Sequence, residues 1–211
     1  MRQVSDVSGA VLHSTREYEI DAATKVVIGQ VVKLAEGKVV PALAAETGAI
    51  LGYAMENHPG TEDALNTRAN GKRIIVQDAP GALAASPAPR VTATGGTETT
   101  ITASGVAAFT ANVFKGGFVK SLEDGLVREI TASAVASGVL TLTVEKGRAP
   151  VEGEEFVLFP PRGFVGGNLA ADGRKLVLTA TANLPLMVVG RDEANNEIWT
   201  VAVKHVLAAG R

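Results

Sequence analysis

Val26-Val27-Ile28-Gly29-Gln30-Val31-Val32-Lys33-Leu34 runs into Ala35-Glu36-Gly37 and then into Lys38-Val39-Val40-Pro41. Branched residues fill both flanks, and they fit a pleated, half-buried surface. Gly29 breaks the first run, and Ala35-Glu36-Gly37 turns the chain. The stretch therefore reads strand, turn, strand. The same rhythm of short Val/Ile/Thr runs between Gly, Asp and Asn turn signals continues in both directions, with none of the 3.6-residue period of a helix.

Ala49-Ile50-Leu51-Gly52-Tyr53-Ala54 reads as a further strand, and Arg73 to Asp78 as another, entered through the turn dipeptide Asn70-Gly71. Thr61 to Arg68 has room for a helical turn or two. Ala79 to Pro89 has the composition of a linker, because its three prolines cannot donate to a sheet ladder. A second β unit begins at about Arg90. Its strands are expected at Thr99–Ala103, Phe118–Leu122, Leu126–Ile130, Val139–Val144 and Glu155–Phe159, with Glu123-Asp124-Gly125 as a hairpin turn. Pro160-Pro161 ends the unit. Lys175–Thr179, Leu186–Gly190 and Glu197–Val203 then resume the earlier style.

The expected fold class is all-β: a small β-barrel or β-sandwich host domain with a second small β domain inserted. The expected parts are an N-terminal arm at 1–24, a host at 25–80 plus 163–211, and an insert at 90–162. A tandem of three pieces is the alternative. Aromatic placement points to two packing units. All six Phe lie between Phe109 and Phe164, whereas the two Tyr and the single Trp lie outside that window.

Composition narrows the function. The 211 residues are enough to bury a core without staples. There is no cysteine, so disulfides and thiolate metal sites do not arise. Net charge is −2, from 20 basic and 22 acidic residues, with no basic stripe for tracking phosphates, so nucleic acid is not an expected partner. No apolar run approaches the roughly 20 residues of a membrane helix, so no membrane partner is expected. Met1 to Asp6 does not read as a signal peptide.

Chemical motifs are sparse. His13, His58 and His205 are widely separated, and His58 reads as a polar loop residue. No G-x-S-x-G or phosphate-loop spacing occurs, and the paired glycines read as turns. The carboxylate neighbours Glu154-Glu155 and Asp192-Glu193 point to opposite faces if they lie on strands, so adjacency makes no dyad. No catalytic residue, cofactor or metal is expected, and the protein is read as a soluble, non-enzymatic binder. The polar stretch up to Thr24 carries Val4, Val7, Val11 and Leu12. It is either a disordered tail or an arm that adds to a neighbouring subunit.

Val27-Ile28-Gly29-Gln30-Val31-Val32, Gly37 and Gly48-Ala49-Ile50-Leu51-Gly52-Tyr53-Ala54 together resemble the small capsid decoration, or cement, proteins of tailed phages. Leu176 to Val203 looks like the closing strands of such a barrel. Thr99–Ile101, Val113–Gly117, Leu126–Ile130, Leu140–Val144 and Pro150–Phe159 resemble a small β module common in phage structural proteins. The chain departs from the smallest cement proteins, which are a single barrel. The resemblance implies a virion protein, made in the host cytoplasm, that binds the outer capsid surface. Its implied partners are the major capsid protein and its own copies, as a homotrimer, and a multivalent clip of that kind gains avidity without strong single contacts. The expected contacts are Val4, Val7, Val11 and Leu12 on the arm and Glu36, Asn57 and His58 on hairpins. Host-surface glycans are a further partner to consider for the inserted domain. A tail or baseplate protein, a carbohydrate-binding module and an enzyme are the rival readings.

Overall fold

The computed structural model describes residues 2–6, 15–43, 46, 48–60, 73–78, 82–106, 109–165, 167–169, 176–178 and 186–202. In chain order the strands are β1 (Arg2–Asp6), β2 (Thr15–Glu19), β3 (Lys25–Val26), β4 (Val31–Ala35), β5 (Lys38–Pro41), β6 (Gly52–Ala54), β7 (His58–Pro59), β8 (Arg73–Gln77) and β9 (Ala82–Pro87). They continue with β10 (Arg90–Thr97), β11 (Thr100–Ser104), β12 (Phe118–Ser121), β13 (Val127–Ala136), β14 (Val139–Val144) and β15 (Glu155–Phe159). The last four are β16 (Gly167–Leu169), β17 (Leu176–Leu178), β18 (Leu186–Asp192) and β19 (Glu197–Ala202). The fold is all-β, with no α-helix among the described residues; the helical turn expected at 61–68 lies outside them.

The opening stretch supplies β4 and β5, at one end of a five-stranded antiparallel sheet in the order β2-β8-β6-β4-β5. Ala35 pairs with Lys38 across a two-residue turn, where Glu36 and Gly37 both take positive φ (50° and 81°). That is the mirror-image turn whose twist matches flanking strands. The sheet rolls up until Ile20, just past β2, bridges Val39 on β5. Val26, Val32, Val39, Leu51, Ala54, Ile74 and Val76 fill the inside with Ile20.

The doublets of this stretch now have a cause. Successive strand residues point to opposite faces. Val32 faces the inside of the roll, while its neighbour Val31 belongs to the larger core next door. Leu51 and Ile50, and Ala54 and Tyr53, divide in the same way. Strands buried on both faces read as continuous apolar runs rather than as alternation.

Residues 90–159 close into a six-stranded antiparallel barrel, β10-β11-β14-β13-β12-β15. The closing pairs are Arg90 with Val157, Val91 with Phe156, and Thr92 with Glu155. Leu140, Leu142 and Val144 point inward between the half-buried Thr141 and Thr143, the alternation of a strand with one buried face. Register shifts at Ala93/Gly95 and Ile130/Ala132 supply the bulges that let a sheet curve shut. Closure therefore falls in the segment expected as the insert, whereas the strands of the first unit roll up around the Ile20–Val39 bridge.

A four-stranded sheet, β1-β9-β19-β18, joins the two units. The chain leaves it at Pro87, builds the barrel, and returns so that β19 pairs with β9 from Glu197–Pro87 to Thr200–Ala84. This corrects the linker reading of 79–89: Ala82–Pro87 is an inner strand. Its prolines stand at or beyond the strand ends, and its small side chains suit a crowded site, since Ala85 sits opposite Trp199. Gly190 is opposite Trp199 on the other side, where an added Cβ would lie 2.9 Å from the indole.

The N-terminal segment also differs from the arm expected at 1–24. Thr15–Glu19 is β2, paired along its length with β8, and Arg2–Asp6 pairs with β9 of its own chain. Alternation ends at β15, where Phe156, Val157, Leu158 and Phe159 are all buried. Residues from barrel, joining sheet and first unit share one buried cluster. Phe114 stacks on Phe164 (5.4 Å between centroids) and meets Phe109 edge-on at 5.1 Å.

Candidate interaction surface

Three surfaces carry the features a binding protein would use. The first is the loop end of the rolled sheet, where two expected contact residues meet. Asn57 Oδ1 accepts the Ile28 amide at 2.8 Å. His58 pairs with Val26, and its Nδ1–H donates to the Thr24 carbonyl at 2.6 Å. Gln30 Oε1 accepts the Val27 amide at 3.0 Å, and Gly29 donates to the Ala54 carbonyl at 2.8 Å. The side chains of Asn57 and His58 thus fix the 24–30 loop. His58 is buried, so its ring shapes the loop from within rather than forming its surface.

What this loop end exposes is Ile28, at 50%, with Met55 beside the same bonds. Sequence reasoning missed both as candidates. The available signal was Ile28 next to Gly29, because an apolar residue beside a strand-breaking glycine leaves the ladder and its buried face together. Glu36 is exposed at the opposite end of β4, so the structure does not gather it with Asn57 and His58. Val4 lies on β1, whose backbone alone is described; Val7, Val11 and Leu12 lie outside the described residues.

The second surface is one end of the barrel, built by the turn after β12 and the 145–154 loop. Arg148 spans three carboxylates there: Glu154 at 2.6 Å, and Glu123 and Asp124 at 3.3 Å each. Glu154 is the buried member, and it also accepts the Ser121 hydroxyl at 2.8 Å and the Val151 amide at 3.1 Å. Burial pushes its carboxyl up, but Ser121, Val151 and Arg148 together hold it below the ordinary range. The Leu126 amide, aided by Ser121 and Arg148, does the same for Asp124 against the effect of burial. Beneath them Arg128 donates to the Arg148 carbonyl at 3.2 Å and lies over the Phe156 ring. This rigid frame carries exposed Leu126 and Val151 at its rim.

The third is a cleft between the barrel and β18, lined by Arg162 and Arg191 among small residues. Lys120 holds the two sides together, donating to the Glu193 carbonyl at 2.7 Å and to Asn196 Oδ1 at 3.0 Å.

Among the described residues no three His, Asp or Glu side chains gather as a metal-ligand set, and no helix is long and apolar enough to cross a membrane. Tyr18 donates to Asp78 at 2.5 Å, and burial followed by that carboxylate pushes its phenol up to about 12. No protein-family model, curated protein or solved structure matches the chain.

Proposed function

We propose that the chain is a head decoration protein of a tailed phage: a non-enzymatic virion component that binds the outside of the assembled capsid, as a trimer, and stabilises it. The observation that supports this best is local. The stretch carrying the resemblance, residues 27–54, contributes β4, β5 and β6 to one rolled sheet; Ile28 and Leu43 within it and Met55 just past β6 are exposed. Ile28, on the 24–30 loop that Asn57 and His58 hold, can dock with little ordering cost. Several weak contacts of this kind, repeated by symmetry, hold a shell joint by avidity.

The carbohydrate-binding reading gains less support. Sugar platforms need open ring faces, and none of the six Phe, the two Tyr or the Trp is exposed. A tail or baseplate protein draws on the same physics of repeated apolar docking, and localisation separates it from the shell reading.

The test is co-sedimentation of the purified protein with mature, undecorated capsids of its source phage. Saturable binding at a fixed ratio to shell subunits is expected, with loss of about tenfold or more in affinity for Ile28→Glu, the scale of a truncated docking anchor. Absence of shell binding, with the protein found on tails, would overturn the proposal in favour of a tail component.

A further inference from the structure

The cleft beside β18 has about 220 Å³ of space, and its lining is Gly116, Pro160, Pro161, Arg162 and the run from Val188 to Arg191. Its charged lining residues are both arginines, in a chain whose net charge is −2. Lys115 precedes Gly116 in the same turn and adds to the local positive charge.

Arg191 is held in place. Its guanidinium carbon lies 3.6 Å from the centroid of the Phe118 ring, and its Nε donates to Glu193 Oε1 at 2.6 Å. Among the described residues nothing takes its two Nη nitrogens. The ring fixes the plane of the guanidinium and Glu193 fixes its inner edge, which leaves an outer fork of donors. A fork fixed in this way loses little freedom when it meets a carboxylate, whose two oxygens match it. Arg162 is exposed on the turn before Gly163 (φ 87°) and has no ion-pair partner among the described residues.

The backbone offers a second element. β18 is the last strand of its sheet. Its outer edge is capped at Val188, where Gly163 donates to the Val188 carbonyl at 2.7 Å and Val188 donates to the Phe164 carbonyl at 2.9 Å. Register with β19 then shifts between Val188 and Gly190. Such a bulge re-aims the edge that follows. From residue 189 to 191 no described strand pairs with that outer edge, and the cleft runs along it. An exposed edge accepts an extended chain through main-chain hydrogen bonds, while flanking side chains choose the sequence.

We propose that this cleft binds an extended acidic segment of a partner protein, its backbone along residues 189–191 and its carboxylates on Arg162 and Arg191. Charge complementarity selects that occupant over an apolar or basic one. The proposal does not rest on the shell reading: an acidic segment of any partner satisfies it.

The test is a titration of the isotope-labelled full chain, followed by backbone amide resonances. The probes are a hexapeptide alternating Glu with Val, the same peptide with Gln for Glu, and inorganic phosphate. Saturable shifts at Gly116, Val189, Gly190 and Arg191 are expected with the Glu peptide, and the Gln peptide should bind about tenfold or more weakly, as loss of a charge-assisted pair implies. Arg162→Gln, at an exposed turn, should weaken the Glu peptide about tenfold while leaving the melting curve unchanged. Absence of shifts, equal binding of the Gln peptide, or unchanged affinity in Arg162→Gln would overturn the proposal. Phosphate binding as well as the peptide would also overturn it, by reducing the cleft to a small-oxyanion site.

Discussion

Glu154 keeps only 2% of its side chain exposed, yet it stays ionised because Ser121, Val151 and Arg148 all point donors at it. Replacing it with Gln removes the charge that Arg148 meets and misplaces at least one donor. The expected loss is about 1–3 kcal/mol of stability near neutral pH, the cost of a buried polar group left short of partners, and chemical denaturation would measure it. The sign of the pH dependence follows from the same contacts. A carboxylate held below its ordinary 4.5 contributes stability above that value and loses it as pH falls through the folded-state pKa. Wild type should therefore destabilise more steeply than Glu154→Gln below about pH 4.5, the ordinary value for a Glu side chain. Parallel acid-unfolding curves would refute this. Gly52 makes a separate residue-scale case. A Cβ there would lie 1.9 Å from the Gln77 carbonyl oxygen, so Gly52→Ala must push β6 off β8. The expected cost is about 1–3 kcal/mol, as for other overpacked sites, read as a lower urea midpoint.

Among the elements, the β4–β5 hairpin was readable from its residues because a short turn is a local decision. Glu36 and Gly37 sit at positive φ, and only Gly does so without strain. Gly37→Ala should cost about 1–2 kcal/mol, the penalty for an L-residue in that region. Glu36→Asn should instead raise the thermal midpoint slightly, since Asn-Gly is the preferred pair for this turn. A fall in midpoint for Glu36→Asn would mean that the turn does not limit the hairpin. The barrel strand β14 was equally readable, because Val139-Leu140-Thr141-Leu142-Thr143-Val144 has one wet face and alternates. β9 was not. Its three alanines and terminal proline have little strand propensity, and its place between β1 and β19 comes from Trp199 and Gly190 across the sheet, more than 100 residues away. Nothing local in Ala82–Pro87 signals that distant partner. Among the candidate contacts singled out as surface groups, Asn57 is exposed and His58 is buried, and a polar atom of each holds the loop that exposes Ile28.

Across the whole molecule, the two β units share their larger core, so they should not melt apart. Phe114 on the barrel side stacks on Phe164 beyond β15, and the cluster continues through Val188 and Ile198 of the joining sheet to Val31 and Tyr53. The chain should show a single cooperative transition, with the fluorescence of Trp199 and the far-ultraviolet dichroism superimposing. Phe164→Ala should lower both signals together, by about 3–5 kcal/mol for a large aromatic removed from a packed core. Two separated transitions would show that barrel and host are energetically independent. By itself the sequence determined the strand class, most strand positions and the turns at Glu36-Gly37 and Glu123–Gly125, since side-chain shape, two-residue periodicity and glycine act over a few residues. Only the tertiary structure decided which core Val31 and Val32, Ile50 and Leu51, and Tyr53 and Ala54 each meet, that residues 90–159 close fully, and that β9 is an inner strand. Those outcomes depend on surfaces distant in sequence coming into contact, and burial between such surfaces leaves no period in either segment alone.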